Sequence, residues 1–125
     1  MAQLAGSPIF TPVDARKSLE IPVVAATAAS GAATANGYLC RITSESLTTA
    51  AAAEYTLTLT NNKIDENSIL LVSAHNGTST QGTLATGEAK PGAGTATITV
   101  TNTHASDALN GTIVIDVLVL NPTRD

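Results

Sequence analysis

Two short stretches of the chain alternate threonine with an apolar residue, a pattern typical of β-strands that have one buried side. Residues 54–61 read EYTLTLTN and residues 95–102 read TATITVTN. Successive side chains of a strand point to opposite sides, so each stretch has an apolar side and a threonine side. The apolar sides consist of Tyr55, Leu57 and Leu59 in the first stretch and of Ala96, Ile98 and Val100 in the second. We predict two related strands whose apolar sides lie in the core and whose threonines face solvent.

The chain after residue 36 has the pattern of an all-β protein throughout. Runs rich in β-branched residues alternate with polar connections, and no helical segment lies between them. Asn-Gly pairs begin at Asn36, Asn76 and Asn110, and both residue types accept the positive φ angles of tight turns. Strands are predicted at residues 38–45, 54–61, 68–75, 79–89, 95–102 and 112–120. Together they predict an antiparallel β-sandwich or jelly roll.

A faint internal duplication agrees with the sandwich. Each threonine strand is followed by a polar connection and then by an aliphatic strand, at residues 68–74 and 112–120. Two such strand-loop-strand units that face each other would make a sandwich, whereas two copies are too few for a solenoid.

The first 36 residues differ from the rest of the chain. Prolines interrupt them, residues 26–37 are nearly all small, and neither strand nor helix periodicity is sustained. Such a segment cannot bury enough surface to fold alone, but it could lie across a neighbouring subunit. We predict an extended N-terminal arm over residues 1–36, a β-sandwich domain over residues 37–122 and a C-terminal tail over residues 123–125. The candidate contact residues of the arm are Ile9, Phe10, Val13, Leu19, Ile21 and Val23.

The last predicted strand, TIVIDVLVL at residues 112–120, is apolar on both sides. A strand of this kind is either central in its domain or covered by another subunit. Asp116 is its single charged residue, and away from water it needs a partner such as Arg41, Lys63 or a residue of a neighbouring chain. A carboxylate exposed at a sheet margin is the alternative for Asp116. The candidate interface residues of this strand are Val114, Asp116, Leu118 and Leu120.

Composition argues against several classes of function. Aromatic residues make up 2% of the chain, too few for the stacking surfaces of sugar grooves or single-stranded nucleic acid channels. The formal net charge is −4 and the basic residues form no stripe, so we expect no nucleic acid partner. Cys40 is the only cysteine, which excludes an intrachain disulfide. The longest apolar run falls well short of the roughly 20 residues of a membrane helix, so we expect no membrane partner.

The residues that carry chemistry form no convincing constellation. His75 and His104 lie beside loop signals, and no nucleophile motif accompanies them. The stretch KIDENS, residues 63–68, could hold a weak calcium ion, but the remaining oxygen ligands at loop spacing are missing. A solvated connection is the simpler interpretation. We therefore predict no enzyme activity, no catalytic residues, no cofactor and no metal site.

The threonine sides allow three interpretations. Threonine is β-branched and tolerates water, so it suits the outer side of any sheet. Regular rows of threonine also occur on ice-binding surfaces, although two twisted strands make a poor flat plane. A sugar-binding or adhesin-like face is the third interpretation, and the lack of aromatic residues argues against it. We favour the first.

The quoted strands and turns together carry a family resemblance. The stretches ITSESLTTAAAAEYTLTLTNNKI, ILLVSAHNGTSTQGT, PGAGTATITVTNT and ALNGTIVIDVLVLNP, within residues 37–122, resemble head decoration (cement) proteins of tailed bacteriophages. The resemblance lies in the general residue pattern of the strands and in the placement of the turns, and residues 1–36 are not part of it. It implies a β-sandwich or jelly roll, usually a dimer or trimer, that sits on the outer surface of a capsid.

The function implied by this resemblance is structural. The protein would be made in the host cytoplasm, join the virion and stabilise the shell by clamping neighbouring subunits of the major capsid protein. The candidate contact residues of the arm and of the last strand would then face another copy of the chain or the capsid. A receptor- or carbohydrate-binding module of a head fibre or tail appendage is the alternative.

Overall fold

The computed structural model describes residues 20–123, and in this range the chain is all-β, without a helix. Two four-stranded sheets pack face to face, which confirms the predicted β-sandwich. The strands are β1 (Val24–Thr27), β2 (Ala32–Thr34), β3 (Leu39–Thr43), β4 (Glu54–Thr60), β5 (Ile69–Asn76), β6 (Leu84–Pro91), β7 (Thr95–Asn102) and β8 (Ile113–Leu120).

The strands divide between two sheets of mixed direction. Sheet I has the order β1-β3-β8-β5 and sheet II the order β2-β4-β7-β6. Among the described strands, β1 pairs with β3 and β2 with β4 in parallel, while the other neighbours are antiparallel. The prediction of an antiparallel sandwich therefore holds for four of the six strand pairs, while the two pairs at the sheet edges are parallel. The jelly-roll alternative is not confirmed.

The segment predicted as an arm contributes two of these strands. The β1 strand lies beside β3 at one edge of sheet I, and β2 lies beside β4 at one edge of sheet II. Their sequence is mostly alanine and threonine, which carries no apolar period. Even so, Ala33 of β2 is buried, and so are Ala28 and Ala35, which directly follow β1 and β2. Small side chains can be packed closely under a sheet edge. Tertiary contacts, and not the local sequence pattern, therefore determine that these residues form strands. Sheet structure thus begins at Val24 and not at residue 37, while residues 1–19 and 124–125 lie outside the described range.

The β6 strand starts five residues later than predicted, at Leu84 and not at residue 79. In the residues before it, Asn110 from the connection that leads to β8 forms hydrogen bonds with the chain. Its Oδ1 accepts from the Ser79 hydroxyl at 3.1 Å and from the Thr80 N–H at 2.7 Å. These bonds hold residues 79 and 80 against the connection before β8, outside the ladder of sheet II.

The core lies between the inner faces of the two sheets, where alternate residues of each strand meet. The sides predicted to be apolar in β4 and β7 are buried, and their threonines lie on the outside. Each fully buried leucine, isoleucine or valine contributes about 1.5–3 kcal/mol. The largest of these side chains are Ile42, Leu57, Leu59, Ile98, Val100, Ile113, Ile115 and Val117.

The internal duplication has a structural counterpart. The two threonine strands, β4 and β7, are antiparallel neighbours in sheet II, and the strands that follow them, β5 and β8, are antiparallel neighbours in sheet I. Both connections, residues 61–68 and 103–112, lead from sheet II to sheet I. An approximate two-fold rotation therefore relates the two units.

Each unit carries a buried asparagine directly after or at the end of its threonine strand. Asn61 is fully buried, and its amide donates to the Gly37 carbonyl at 2.8 Å. Its Oδ1 accepts from the N–H groups of Gly37 and Lys63, at 3.1 and 3.0 Å. These bonds anchor the start of β3 to the end of β4, and they satisfy polar groups for which water is not available.

Asn102 occupies the equivalent place in the second unit. Its amide donates to the carbonyls of Asp107 and Thr49 at 2.8 and 3.2 Å. Its Oδ1 accepts from the N–H groups of Thr83 and His104 at 3.1 Å each. In both units the asparagine bonds the N–H two residues ahead, so the shared TN ending seen in the sequence is a pair of loop anchors.

The Asn-Gly pairs lie at strand ends as predicted, but the predicted reason is wrong. Among the described glycines the positive φ angles occur elsewhere, at Gly31, Gly82 and Gly94. At Gly111 a Cβ atom would lie 2.7 Å from the Ser79 nitrogen, and at Gly37 it would lie 2.6 Å from Val24 Cγ2. Close approach of neighbouring chain segments therefore requires these glycines.

A second polar contact joins the core to the turn between β1 and β2. The Tyr55 hydroxyl donates to Glu45 Oε1 at 3.0 Å, and Glu45 Oε2 accepts from the Gly31 N–H at 3.0 Å. Burial, followed by the hydrogen bond and charge of Glu45, raises the pKa of the Tyr55 phenol. The folded state therefore holds this proton more tightly than the unfolded state does.

Replacement of Asn61 by alanine is expected to lower the free energy of unfolding by about 2–4 kcal/mol, because it removes a fully buried side chain together with its hydrogen bonds to the backbone of Gly37 and Lys63. Urea denaturation measures the change. Asn62→Ala is the matched control, since that side chain is exposed and a shift below about 0.5 kcal/mol is expected. Equal effects of the two variants would contradict an anchoring role for Asn61.

Tyr55→Phe is expected to lower stability by about 1 kcal/mol at neutral pH through loss of one hydrogen bond. Because the folded-state pKa is raised, the contribution of this hydroxyl is complete below the unfolded pKa of about 10 and is lost as the pH rises above it. The gap in stability between the wild type and the variant should therefore narrow above about pH 10. Urea titrations from neutral to alkaline pH test this, with Tyr38→Phe as the control for removal of a hydroxyl. Parallel curves for wild type and Tyr55→Phe would refute it.

Candidate interface on the outer face of sheet I

The two outer faces of the sandwich differ in chemistry although both follow the same alternation. The outer face of sheet II carries cross-strand threonine pairs, such as Thr58 with Thr97 and Thr56 with Thr99. The outer face of sheet I carries mainly aliphatic side chains, which are Val23, Leu39, Ile69, Leu71, Val114, Leu118 and Leu120. We call this second surface the sheet I face.

Strand pairing gathers these aliphatic side chains at one end of the sheet I face. Leu118, in the central strand β8, has Leu39 and Leu71 as its cross-strand neighbours, and Leu120 lies beside Ile69. The exposed fraction is 53% for Leu71 and 51% for Ile69, although leucine and isoleucine are among the residues most often buried. A contiguous apolar surface of this kind marks an interaction site more often than free surface.

A bidentate ion pair lies at the middle of the sheet I face. Arg41 Nε is 2.8 Å from Asp116 Oδ1, and its Nη2 is 3.2 Å from Oδ2. The two residues are direct cross-strand partners in β3 and β8. The hydrogen bond with Asp116, followed by its charge, raises the pKa of Arg41. Of the partners considered from the sequence, Arg41 is thus the one that Asp116 contacts.

A shallow depression of about 240 Å³ lies beside this ion pair. It is lined by Leu39, Leu71, Val72, Ser73, Asp116 and Leu118. Sites for small molecules usually enclose about 300–1,000 Å³ and bury most of their ligand. The depression is therefore smaller and more open than a usual small-molecule site.

The predicted interface residues of the last strand meet on this face. Val114, Asp116 and Leu118 are half-buried there, and Leu120 is 44% exposed. Because β8 is central in sheet I, its other side fills the core. This accounts for one apolar side of the strand, and the second apolar side is the one that lies on the sheet I face.

Two of the six candidate contact residues of the arm lie within the described residues. Val23 is 50% exposed and adjoins the apolar end of the sheet I face, while Ile21 is half-buried. The other four, Ile9, Phe10, Val13 and Leu19, lie outside the described residues.

Three residues of the face were not predicted as interface residues, namely Leu39, Ile69 and Leu71. A signal for two of them exists in the sequence, since residues 69–72 read ILLV and are apolar on both sides of a strand. Only the pairing of β5 and β3 with β8 shows that their outward side chains join those of the last strand.

The residues considered for chemistry are dispersed. His75 lies on the outer side of β5, whereas His104 lies in a loop where its Nδ1 accepts from the Asp107 N–H at 2.9 Å. Cys40 is buried in the core, and burial raises the pKa of its thiol. In the KIDENS stretch Asp65 Oδ1 accepts from the Asn67 N–H at 2.7 Å, so this carboxylate orders its own loop. Within residues 20–123 no cluster of three or more His, Cys, Asp or Glu side chains could hold a metal ion.

Comparison with known proteins returned no relative. No protein-family model, no curated protein and no solved structure matches this chain. Over the described residues, no helix has the length and apolar character needed to cross a bilayer.

Asp116→Asn is expected to leave the urea midpoint of unfolding nearly unchanged. Arg41 is exposed, and an ion pair at the protein surface contributes little to stability because solvent screens it. Urea denaturation at low and high salt measures the change. A large fall in the urea midpoint would mean that the pair holds the fold together, and would argue against its being available for contacts on the face.

Proposed function

We propose that this protein is a structural virion protein that binds the outside of a phage capsid and stabilises it by clamping neighbouring major capsid subunits. The observation that carries the proposal is the sheet I face. It places an apolar surface, crossed by one ion pair, on a small sandwich whose opposite face is hydroxylated. A protein that works through contact with other protein surfaces needs a surface of this kind.

The mechanism of stabilisation follows from mass action. A protein that binds the assembled shell but not the free subunits lowers the free energy of the assembled state by its own binding free energy. Many copies on one shell multiply the effect, and linked contacts raise the effective concentration of each further contact. Modest affinity per site is then sufficient, and no enzymatic step or cofactor is required.

Within this proposal the two parts of the chain have different tasks. The sandwich forms a homo-oligomer, and the residues before β1 reach towards the major capsid protein. The acidic net charge of −4 and the absence of a basic stripe in the sequence agree with protein partners and not with nucleic acid. The site of action would be the outer surface of the virion.

A receptor- or carbohydrate-binding module is the second candidate, and the surface supports it less. Sugar sites generally stack the ring of the sugar on exposed aromatic side chains. Among the described residues Tyr38 is the exposed aromatic, at 50%, while Tyr55 is buried. The Lys63 ammonium lies 5.4 Å from the centre of the Tyr38 ring and occupies that surface.

Expanded capsids that lack this protein are the material for the test. The full chain should co-sediment with them at saturable stoichiometry and should raise the temperature at which they lose their genome, since it binds the assembled state. Unexpanded shells and free capsid subunits are the controls. Failure to bind expanded capsids, or binding without added heat resistance, would refute the proposal, and specific hits on a glycan array would favour the second candidate.

Deletion of residues 1–19 extends the same experiment to the arm. This truncation stops before β1, whereas removal of all 36 residues would also take away β1 and β2. We expect capsid affinity to fall at least about tenfold, or 1.4 kcal/mol, with the urea midpoint of the sandwich unchanged. A chain with residues 1–19 in scrambled order keeps length and charge and serves as the control. Unaltered capsid affinity of the truncated chain would contradict a tethering role.

A further inference from the structure

We propose that the outer edge of β5 is a strand-addition site, where an extended segment of the major capsid protein pairs with residues 70–74 and becomes the fifth strand of sheet I. This proposal rests on the proposed function and deepens it. It names the part of the sandwich that holds the capsid subunit, and it names the conformation in which the subunit is held.

The described strands leave four sheet edges, and three of these carry features that oppose pairing with a further strand. The edge strands β1 and β2 have only four and three residues. The edge strand β6 has an irregular register, two charged side chains and a terminal proline, at residues 86–89, Glu88, Lys90 and Pro91. Short edges, bulges, charges and prolines are the means by which natural sheets prevent the addition of strands.

The fourth edge, β5, lacks these features. Its eight residues read ILLVSAHN and include no lysine, arginine, acidic residue or proline. Its register with β8 is continuous from Ile69 to Asn76, so no bulge turns the edge away from a partner. The β5 strand is therefore a long and regular edge of the kind to which an extended chain can add.

The pairing of β8 shows which backbone groups of β5 point to this edge. The Ile113 carbonyl accepts from the Ser44 N–H at 2.9 Å. The Val119 N–H donates to the Tyr38 carbonyl at 2.7 Å, so the odd-numbered residues of β8 direct their backbone groups towards β3. Opposite residues of an antiparallel ladder alternate between pairs that bond each other and pairs that do not. The β5 partners of the odd-numbered residues therefore point their N–H and C=O groups outward, and within residues 70–74 they are Leu70, Val72 and Ala74.

These outward groups have room for a partner strand. Within residues 20–123 no backbone hydrogen bond connects Leu70, Val72 or Ala74 to another segment on that side. Each offers one donor and one acceptor at the spacing of a strand. The complement of such a row is the backbone of another extended chain, about 4.8 Å away.

The side chains of β5 are incompletely covered on both sides of the sheet. On the outer side Ile69 and Leu71 are 51% and 53% exposed. On the inner side the residues of β5 are half-buried, whereas Ile115 and Val117 of the neighbouring β8 are fully buried. A partner that lies flat on the sheet I face would cover the outer side alone. A strand added in the plane of sheet I lies beside both sets of side chains and removes both from water.

The chemistry of the edge defines the segment that fits it. A small molecule or a lipid surface offers no row of alternating donors and acceptors, whereas an extended polypeptide does. Because residues 69–76 carry no acidic residue, lysine or arginine, the segment needs apolar or β-branched side chains and no matching charge. Its outward side chains would continue the sheet I face beside Ile69 and Leu71. A capsid segment held in this way can leave only when a row of hydrogen bonds breaks, as a clamp requires.

Amide hydrogen exchange of the full wild-type chain, free and bound to expanded capsids, tests the pairing residue by residue. In the free chain the amides of Leu70, Val72 and Ala74 should exchange quickly, while those of Leu71 and Ser73, which face β8, exchange slowly. On capsids the first three should slow by at least about tenfold, because they acquire hydrogen-bond partners. Mass spectrometry with fragmentation after a rapid quench reads each position. Unchanged exchange at these three amides on capsids would overturn the inference.

Ala74→Pro tests the same edge by binding. Proline removes one outward N–H and places its ring in the path of an added strand, while the bonds between β5 and β8 remain. Affinity for expanded capsids should fall at least about tenfold. Ala74→Val is the matched control, since it enlarges the same side chain and keeps the N–H, and it should bind as the wild type does. Urea midpoints establish that both variants are folded, and equal capsid affinities of the two would overturn the inference.

The outcomes separate this inference from the function on which it rests. If the wild type and Ala74→Pro bind and stabilise expanded capsids equally, strand addition is refuted and the capsid role stands. If the wild type does not bind expanded capsids, both are refuted. Protection of the three amides that rises with protein concentration without capsids would assign the edge to a second copy of the chain, and would also overturn the inference. The exchange measurement uses the wild type, so the test does not depend on the folding of the proline variant.

Discussion

The inner faces of the two sheets pack against each other through branched aliphatic side chains, and the rest of the structure depends on that contact. Ile42 and Ile115 of sheet I and Leu57 and Ile98 of sheet II are fully buried there. A sheet has only two sides, so burial of one side of each strand directs every alternate residue outward. The chemistry of both outer faces follows from this constraint, the threonine rows as much as the apolar sheet I face.

At the ends of the sandwich, chain connections cross from one sheet to the other, and backbone groups there that lie away from water need hydrogen-bond partners. Asn61 and Asn102 provide these partners in equivalent places. The side-chain amide of each donates to a backbone carbonyl, and its oxygen accepts from backbone N–H groups. Unpaired groups in such positions would cost about 1–3 kcal/mol each. The approximate two-fold relation between the two units thus extends from the strands to the polar contacts that close them.

The asymmetry between the outer faces is the feature that bears on function. Threonine satisfies both requirements of a free sheet face, because it favours the strand conformation and its hydroxyl is hydrated. Leucine and isoleucine satisfy only the first. A chain that places Leu71 and Ile69 on one outer face, when threonine serves on the other, carries an unfavourable hydration cost that contact with another protein surface would remove.

The alternation of TLTLT and TITVT was sufficient to predict two strands, their buried sides and their solvated sides, because a period of two is set by local backbone geometry. The same period of two, applied to the stretch TIVIDVLVL, placed Val114, Asp116, Leu118 and Leu120 together on one side of the last strand. Tertiary structure alone decided that Ala33 and its neighbours are strand residues and that Arg41 is the residue that pairs with Asp116. It alone brought Leu39 and Leu71 to the same face as Leu118. These features depend on which strands become neighbours, and strand order is determined by packing between residues far apart in the chain, for which a single sequence carries no periodic signal.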